Sequence, residues 1–150
     1  MSDQHNLKRF VLAQDAIYDE RLSDFSVYKI AYNEIENGKK DQHWIWYVFP
    51  QYNGLVRNPS YKTKFYAIYT KNEAICYLEH PILGKRLIEM SEMLLNKEKS
   101  MSQIFGRDEK KVRSSLTLFE AIQSDITVFS LVLDKCFEGR RCKRTLDYLS

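Results

Sequence analysis

The sequence predicts an all-α protein, a compact single-domain bundle of about seven or eight helices around an aromatic core. The chain has 150 residues, which suits one domain. Its five glycines and three prolines are fewer than the tight turns of an all-β protein normally need. Apolar residues recur at helical spacing, and no second convincing strand is found. We therefore expect residues 1–150 to form one helical domain.

The aromatic segment at residues 43–51, which reads HWIWYVFPQ, is the most distinctive part of the chain. Its large rings would form an unusually large apolar patch if they were all exposed, so the segment should be core, interface or pocket wall. The composition favours a strand, but a lone buried strand would leave backbone groups unpaired. We predict instead a helix of two turns that Asp41 caps and Pro50 ends.

Helical segments are predicted along the rest of the chain from apolar spacing and from boundary residues. They cover residues 7–13, 25–36, 60–68, 72–79, 81–94, 100–105, 108–122, 126–137 and, as a terminal turn or short helix, 145–149. Gly38 should end the second of these, Thr70 with Glu73 matches a capping box, and Asp125 should cap the helix that follows it. The most regular apolar stripe consists of Leu83, Leu87, Met90 and Leu94.

Composition limits the classes of protein and the cellular compartment. No apolar run reaches the roughly 20 residues of a membrane span, and the polar N-terminus lacks the apolar core of a signal peptide. Cys76, Cys136 and Cys142 are odd in number and form no Cys-x-x-Cys pair, which indicates reduced thiols rather than a disulfide framework. We expect a soluble, cytoplasmic protein that does not associate with membranes, and its oligomeric state stays open.

Charge and histidine spacing give little support to nucleic-acid or metal chemistry. The net charge is +3, and the basic stretch at residues 139–144 reads as a solvated turn near a helix C-terminus. The alternative is that this stretch contacts an anion or nucleic acid through Arg140, Arg141, Lys143 and Arg144. Nucleic acid is the least expected of the partners. The histidines at positions 5, 43 and 80 lack metal-ligand spacing. Glycine-rich phosphate loops are absent as well, so neither a metal nor a cofactor is predicted.

A polar cluster on the helix of residues 108–122 is the first candidate site. Lys111, Ser114 and Ser115 share one face of that helix, beside its apolar stripe. They could bind a phosphate or carboxylate, or Lys111 with a lowered pKa could deprotonate a serine. The alternative is that both hydroxyls bond the carbonyl four residues back and the lysine lies in water.

The ends of the aromatic segment are the second candidate site. His43 could act as an acid or base, and Gln51 could offer its amide to a ligand. Trp44 and Trp46 could stack on a planar ligand or bind a cation. The alternative is that the tryptophans belong to the core.

Residues 43–51 resemble the signature of a mainly bacterial family, the domain of unknown function numbered 1810. The resemblance covers nearly the whole chain. It continues through residues 66–68, 73–74, 77–78, 80–87, 104–106, 108, 111, 113–115 and 117–119 and ends near residues 145–146. This chain departs from the family pattern in two places. Residues 16–24 form a longer stretch than is typical between Ala13-Gln14 and the following helix, and Cys142 stands where members usually have Asp. The resemblance implies a compact, mainly helical domain and no established activity. The polar residues that match are His43, Gln51, His80, Lys111, Ser114 and Ser115.

These features lead to two hypotheses about function. In the first, a small anionic or nucleotide-like ligand binds in a pocket with Trp44 and Trp46 as walls, and Gln51, His80 and Ser114 as contacts. Hydrolase or transferase chemistry would use His43, Lys111 and Ser115, which requires these groups to meet around one cavity. In the second, the domain is a non-enzymatic protein-interaction module with no ligand pocket.

Overall fold

The central packing of the molecule is between the helices Leu83–Leu95 and Val128–Cys136. The helix Glu109–Ile122 packs against the second of these, and the helix Lys71–Glu79 packs against Leu83–Leu95 and Glu109–Ile122. The computed structural model describes residues 3–17 and 26–150. Its α-helices are α1 (Lys8–Asp15), α2 (Val27–Glu36), α3 (Ile45–Val48), α4 (Tyr61–Phe65), α5 (Lys71–Glu79), α6 (Leu83–Leu95), α7 (Met101–Phe105), α8 (Glu109–Ile122), α9 (Val128–Cys136) and α10 (Lys143–Leu149).

The helical class predicted from the sequence is confirmed. Seven of the α-helices in the described ranges are seven residues or longer, in agreement with the expected seven or eight. Between these helices the described backbone forms isolated bridges, Ile17–Ser26 and Tyr52–Ile68, rather than a sheet. No helix in the part of the chain that the structure describes is long and apolar enough to cross a membrane.

The aromatic core joins helices that are distant in sequence. Phe10, Tyr77, Phe119 and Phe129 form a continuous run, with successive ring centroids 5.0, 5.4 and 6.1 Å apart. The predicted stripe on α6 faces this core, because all four of its members are buried. Gly84 lies on the same buried face, where α6 meets the end of α5. A Cβ at this position would lie 1.9 Å from the carbonyl oxygen of Leu78, so the helices can approach this closely only around a glycine.

The prediction that Asp41 caps the aromatic segment is wrong. The predicted helix of two turns is also too long, because α3 has one turn. Helix α3 has no side-chain cap. The carboxylate of Glu34 on α2 accepts hydrogen bonds from the backbone N–H of Asp41 (2.8 Å), that of Gln42 (3.0 Å) and the indole N–H of Trp44 (2.8 Å). These bonds hold residues 41–44 outside the helix. Pro50 follows its end as predicted, because Phe49 has already left helical geometry at φ −125°.

Other predicted boundaries need correction. Asp125 does not cap α9, whose first turn follows Thr127 without a side-chain bond. The helix predicted to reach residue 68 ends at Phe65, because Ile68 pairs with the loop at residues 51–53 through hydrogen bonds of 2.8 Å. Cys142 occupies the N-cap position of α10 and makes no capping bond with its side chain. The predicted start of α2 at residue 25 and most of the long stretch at residues 16–24 lie outside the described ranges.

The predicted capping box at Thr70 forms only in part. The Thr70 hydroxyl accepts the N–H of Glu73 at 3.0 Å, but the Glu73 carboxylate accepts the N–H of Tyr69 at 2.9 Å instead of returning to Thr70. Its other oxygen forms an ion pair of 2.7 Å with Arg9. Both side chains are buried, at 7% and 5% exposure, and the pair joins α1 to α5.

Candidate functional site

Trp44 and Trp46 have different roles, although they lie two positions apart. Trp44 is fully buried, its ring packs against Phe49 and Phe105, and its indole N–H is satisfied by Glu34. It is therefore core and does not form a pocket wall. Trp46 is half-buried and lines two concave surfaces. Of the two tryptophans, Trp46 is the one that a ligand could contact.

Two lysines from different helices lie over the ring of Trp46. The Nζ atoms of Lys62 on α4 and Lys111 on α8 are each 5.5 Å from the ring centroid, within the range of a cation–π interaction. Lys62 Nζ also lies 3.4 Å from the hydroxyl of Tyr47. Within the described ranges, Lys62 has no carboxylate within the 4.0 Å of an ion pair.

Asp108 compensates only part of the positive charge nearby. Its carboxylate is shared between Lys40, at 2.8 Å, and Lys111, at 3.1 Å. Burial raises the pKa of the Asp108 carboxyl, but the hydrogen bonds from Lys40 and Lys111 outweigh it and hold the pKa below its ordinary value of 3.8. Asp108 is therefore ionised near neutral pH, and one carboxylate faces two ammonium groups.

The main groove lies between α1, the start of α2, α3 and α4 and has a volume of about 540 Å³. This lies within the roughly 300–1,000 Å³ of small-molecule sites. Its apolar side consists of small and aliphatic side chains from α1, the residues just after it and the start of α2. Its other side is polar and aromatic and consists of His43, Trp46, Tyr47, Lys62 and Tyr66. His43 is exposed, so its ring can be reached from solvent.

A buried hydrogen-bond network fixes the position of Tyr47 in this groove. The Gln14 amide donates to the Tyr47 carbonyl at 2.7 Å, and the Tyr77 hydroxyl donates to the same oxygen at 3.2 Å. Arg86 donates to the side-chain oxygen of Gln14 at 3.0 Å. The end of α3 is thereby tied to α1, α5 and α6, which gives the groove a rigid wall.

Gln51 lines a second, smaller cavity that also borders Trp46. This cavity, formed with the loop at residues 52–56 and part of α4, has a volume of about 50 Å³, which suits a few water molecules rather than a ligand. Gln51 and His43 therefore flank the same tryptophan from two separate cavities.

The structure places His43 with Trp46 in the main groove and Lys111 over the Trp46 ring, although Lys111 does not line that groove. His80 caps α6, because its Nδ1 accepts the N–H groups of Ile82 and Leu83 at 3.1 and 3.2 Å. The Ser114 hydroxyl donates to the carbonyl of Lys110, four residues back, at 2.9 Å. This is the alternative to ligand binding that the sequence also allowed. Ser115 is fully buried, and its hydroxyl has no partner among the described residues.

Sequence reasoning missed Lys62 and Tyr66 as site residues. Both belong to α4 and its end, and nothing in their spacing relates them to residues 43–51. A metal site is not part of the arrangement, since no group of three His, Cys, Asp or Glu side chains within residues 3–17 and 26–150 could hold a metal ion.

Comparison with known proteins adds a family and a fold. A family model described as "Protein of unknown function (DUF1810)" matches residues 4–149. The solved structure of the conserved hypothetical protein Rv1873 from Mycobacterium tuberculosis is similar, with 36% identity, coverage of 96% of each chain and a TM-score of 0.84. Among curated proteins, none matches the chain.

Proposed function

The chain belongs to the DUF1810 family of proteins of unknown function, and from that premise we propose that it binds a small anionic, nucleotide-like ligand in the groove beside Trp46. The family supplies no activity, so the proposal rests on geometry. The observation that carries it is the convergence of Lys62 and Lys111 on one half-buried tryptophan that borders a groove of ligand size.

The charge of the site favours an anion. Lys62 lines the groove, and its polar partner among the described residues is the hydroxyl of Tyr47. An anionic group can therefore bind Lys62 without displacing a carboxylate. The shared Asp108 leaves positive charge on the Lys111 side of the same ring. Lys62 is exposed and Lys111 is half-buried, and a half-buried cation attracts an anion more strongly than a cation in open water does.

The aromatic lining favours a ligand with a planar part. Tyr47 and Tyr66 meet edge to face with ring centroids 4.7 Å apart, and both line the groove beside Trp46. A flat ring could pack against this wall while its phosphate or carboxylate reaches Lys62. Such a division between an apolar body and one charged group is typical of nucleotide-like molecules.

A catalytic version of the proposal uses His43 and Lys111. His43 would act as general base at the rim of the groove, and Lys111 would stabilise negative charge that develops on the ligand. Ser115 has no access to the groove because it is fully buried in α8. Hydrolase or transferase chemistry here would therefore attack the ligand with water or a second substrate rather than with that serine.

The interaction-module alternative has less support. It requires a tryptophan on a flat exposed surface, whereas Trp44 is fully buried and Trp46 borders concave surfaces.

A thermal-shift screen of nucleotides and phosphorylated metabolites tests the proposal. A ligand at 100 times its Kd adds about 2.7 kcal/mol to the stability of the native state, which raises Tm by roughly 5–10 °C in a chain of this size. Lys62→Gln should lose most of that shift. Lys64→Gln is the matched control, because Lys64 is exposed on the same helix and does not line the groove.

Tryptophan quenching by iodide locates the bound ligand. Trp44 is inaccessible in the folded protein, so the quenchable emission should come from Trp46. A ligand in the groove should reduce quenching in the wild type and not in Lys62→Gln. The proposal fails if no compound raises Tm, or if Lys62→Gln and Lys64→Gln respond as the wild type does.

A further inference from the structure

A second groove, with a volume of about 330 Å³, lies between α7, the first turns of α8 and the end of α9. It shares no lining residue with the groove beside Trp46. Its wall contains serines at the start of α7, cations from α8 and from the turn that follows α9, and two carboxylates. These polar residues are Ser100, Ser102, Glu109, Lys110, Arg113, Glu138 and Arg140.

Arg113 is the distinctive residue of this second groove. Its Nε atom is buried and makes no hydrogen bond to any described residue, and no described carboxylate lies within the 4.0 Å of an ion pair. A guanidinium is always charged, and a buried polar group without a partner costs free energy. Arg113 is therefore a half-buried cation with no described counter-ion, and an anion bound in the groove would neutralise its charge.

The other groups around Arg113 favour an anion as well. Lys110, three positions before Arg113 on α8, also has no described carboxylate partner. Glu138 forms an ion pair with Arg140, with 3.1 Å between a guanidinium nitrogen and a carboxylate oxygen. Of the two carboxylates that line the groove, Glu109 is the one without a described ion pair. Two cations and one carboxylate without a described ion pair, all three on α8, therefore line the groove.

The groove also offers a neutral donor. The Ser100 Oγ accepts the backbone N–H of Gln103 at 3.1 Å, so its own hydrogen can be donated to a ligand. An arginine fork, an ammonium group and a hydroxyl form the donor set that suits tetrahedral oxyanions.

We infer that this groove is a separate binding site for a phosphate group, with Arg113 as the principal donor and Lys110 and Ser100 as supporting contacts. The site is independent of the proposed ligand site beside Trp46. The phosphate can arrive as the free ion or as part of a small phosphate ester, since both present the same oxygens to Arg113.

Titration of the full-length, ¹⁵N-labelled protein followed by NMR tests the inference. The probes are inorganic phosphate and phenyl phosphate, at ionic strength held constant with sodium chloride. The expected result is a saturable shift of the Arg113 Nε–H signal and of the amides at residues 100–102 and 110–113. Tighter binding of phenyl phosphate identifies an ester as the ligand, and tighter binding of inorganic phosphate identifies the free ion.

Variants assign the binding to the groove. Arg113→Gln should weaken phosphate binding by about tenfold or more, as expected for the loss of charge-assisted hydrogen bonds. Lys110→Gln should weaken it several-fold, and because Lys110 is exposed this variant stays informative even if Arg113→Gln disturbs folding. Lys85→Gln, an exposed lysine on α6, should bind as the wild type does.

Three outcomes would overturn the inference. The first is a shift that stays linear and never saturates. The second is equal weakening by Lys110→Gln and Lys85→Gln, which would show a general charge effect. The third is a loss of phosphate binding in Lys62→Gln but not in Lys110→Gln, which would place the ion beside Trp46.

Discussion

Replacing Glu73 with glutamine should remove much of the stability of this protein, although the two side chains have nearly the same size and shape. The Glu73 carboxylate forms a 2.7 Å ion pair with Arg9, and the two side chains are 5% and 7% exposed. The substitution removes the negative charge and leaves the Arg9 guanidinium buried without its counter-ion.

The size of the effect follows from burial. Breaking a buried ion pair from one side typically costs about 3–5 kcal/mol, because the remaining charge is uncompensated. An exposed pair contributes about 0–1 kcal/mol. Since a domain of this kind has about 5–15 kcal/mol in total, Glu73→Gln should lower the free energy of unfolding by about a third or more.

Urea unfolding followed by circular dichroism measures this loss. With m values of about 1–3 kcal/mol/M, the unfolding midpoint should fall by about 2 M. Glu92→Gln, on the exposed side of α6, serves as the charge-matched control and should stay within about 0.5 kcal/mol of the wild type. A Glu73→Gln midpoint as close to the wild type as that of the control would refute the reasoning.

A second substitution separates the ion pair from the other contacts of Arg9. The guanidinium also donates to four backbone carbonyls, those of His5, Asn6, Phe65 and Ala67, at 2.6–3.0 Å. If the lost counter-ion were the whole effect, adding Arg9→Met to Glu73→Gln would restore stability. We expect no restoration, because the carbonyls would then lose their donor.

Two further predictions concern close packing and pH. Gly84→Ala should lower the free energy of unfolding by about 1–3 kcal/mol or more, since its Cβ would lie 1.9 Å from the Leu78 carbonyl oxygen; Lys85→Ala is the control, and a Tm equal to that control would contradict the close approach. The hydrogen bond from Arg141 holds the pKa of Glu120 below its ordinary value of 4.5, so its stabilisation is present above about pH 5 and is lost as pH falls through the lowered pKa. The stability difference between the wild type and Glu120→Gln should therefore shrink in acid, and a difference that grows there would contradict the assignment.

Helices were predictable where the signal is local. The apolar stripe on α6 repeats at helical spacing, and its members are buried as expected. Gly38 takes a positive φ of 82° after α2, and Gly106 takes 59° after α7, because these turns need a backbone conformation that glycine adopts without strain. Such features depend on a few neighbouring residues, so the sequence contains the whole cause.

Capping predictions failed where a contact with a side chain from another helix fixed the local geometry. Asp41 has the right chemistry for a cap, but Glu34 on the preceding helix binds the N–H groups of Asp41 and Gln42 and holds these residues outside the helix. Glu73 has the right spacing for a capping box, yet one of its oxygens bonds Tyr69 and the other Arg9. A buried arginine 64 positions away leaves no trace in the local pattern around Thr70.

The candidate site shows the same division. His43 and Trp46 stood out because aromatic density is visible in the sequence, and Lys111 stood out as a lysine beside a core face. Lys62 did not, because its relation to Trp46 exists only after α4 folds back onto α3. The different roles of Trp44 and Trp46 were equally hidden, since both have the same neighbours in sequence and only packing decides which ring is enclosed.

The sequence by itself determined the helical class and the principal helices. It also indicated the aromatic segment at residues 43–51 as the place to look for a site. Tertiary structure alone decided that Trp46 rather than Trp44 borders a groove and that Lys62 and Lys111 meet over its ring. It also decided that the Nε atom of Arg113 is buried without a described partner. The physical reason is range. Helix formation is set by neighbours within a few residues, whereas burial and charge pairing depend on which distant side chains fill the surrounding space.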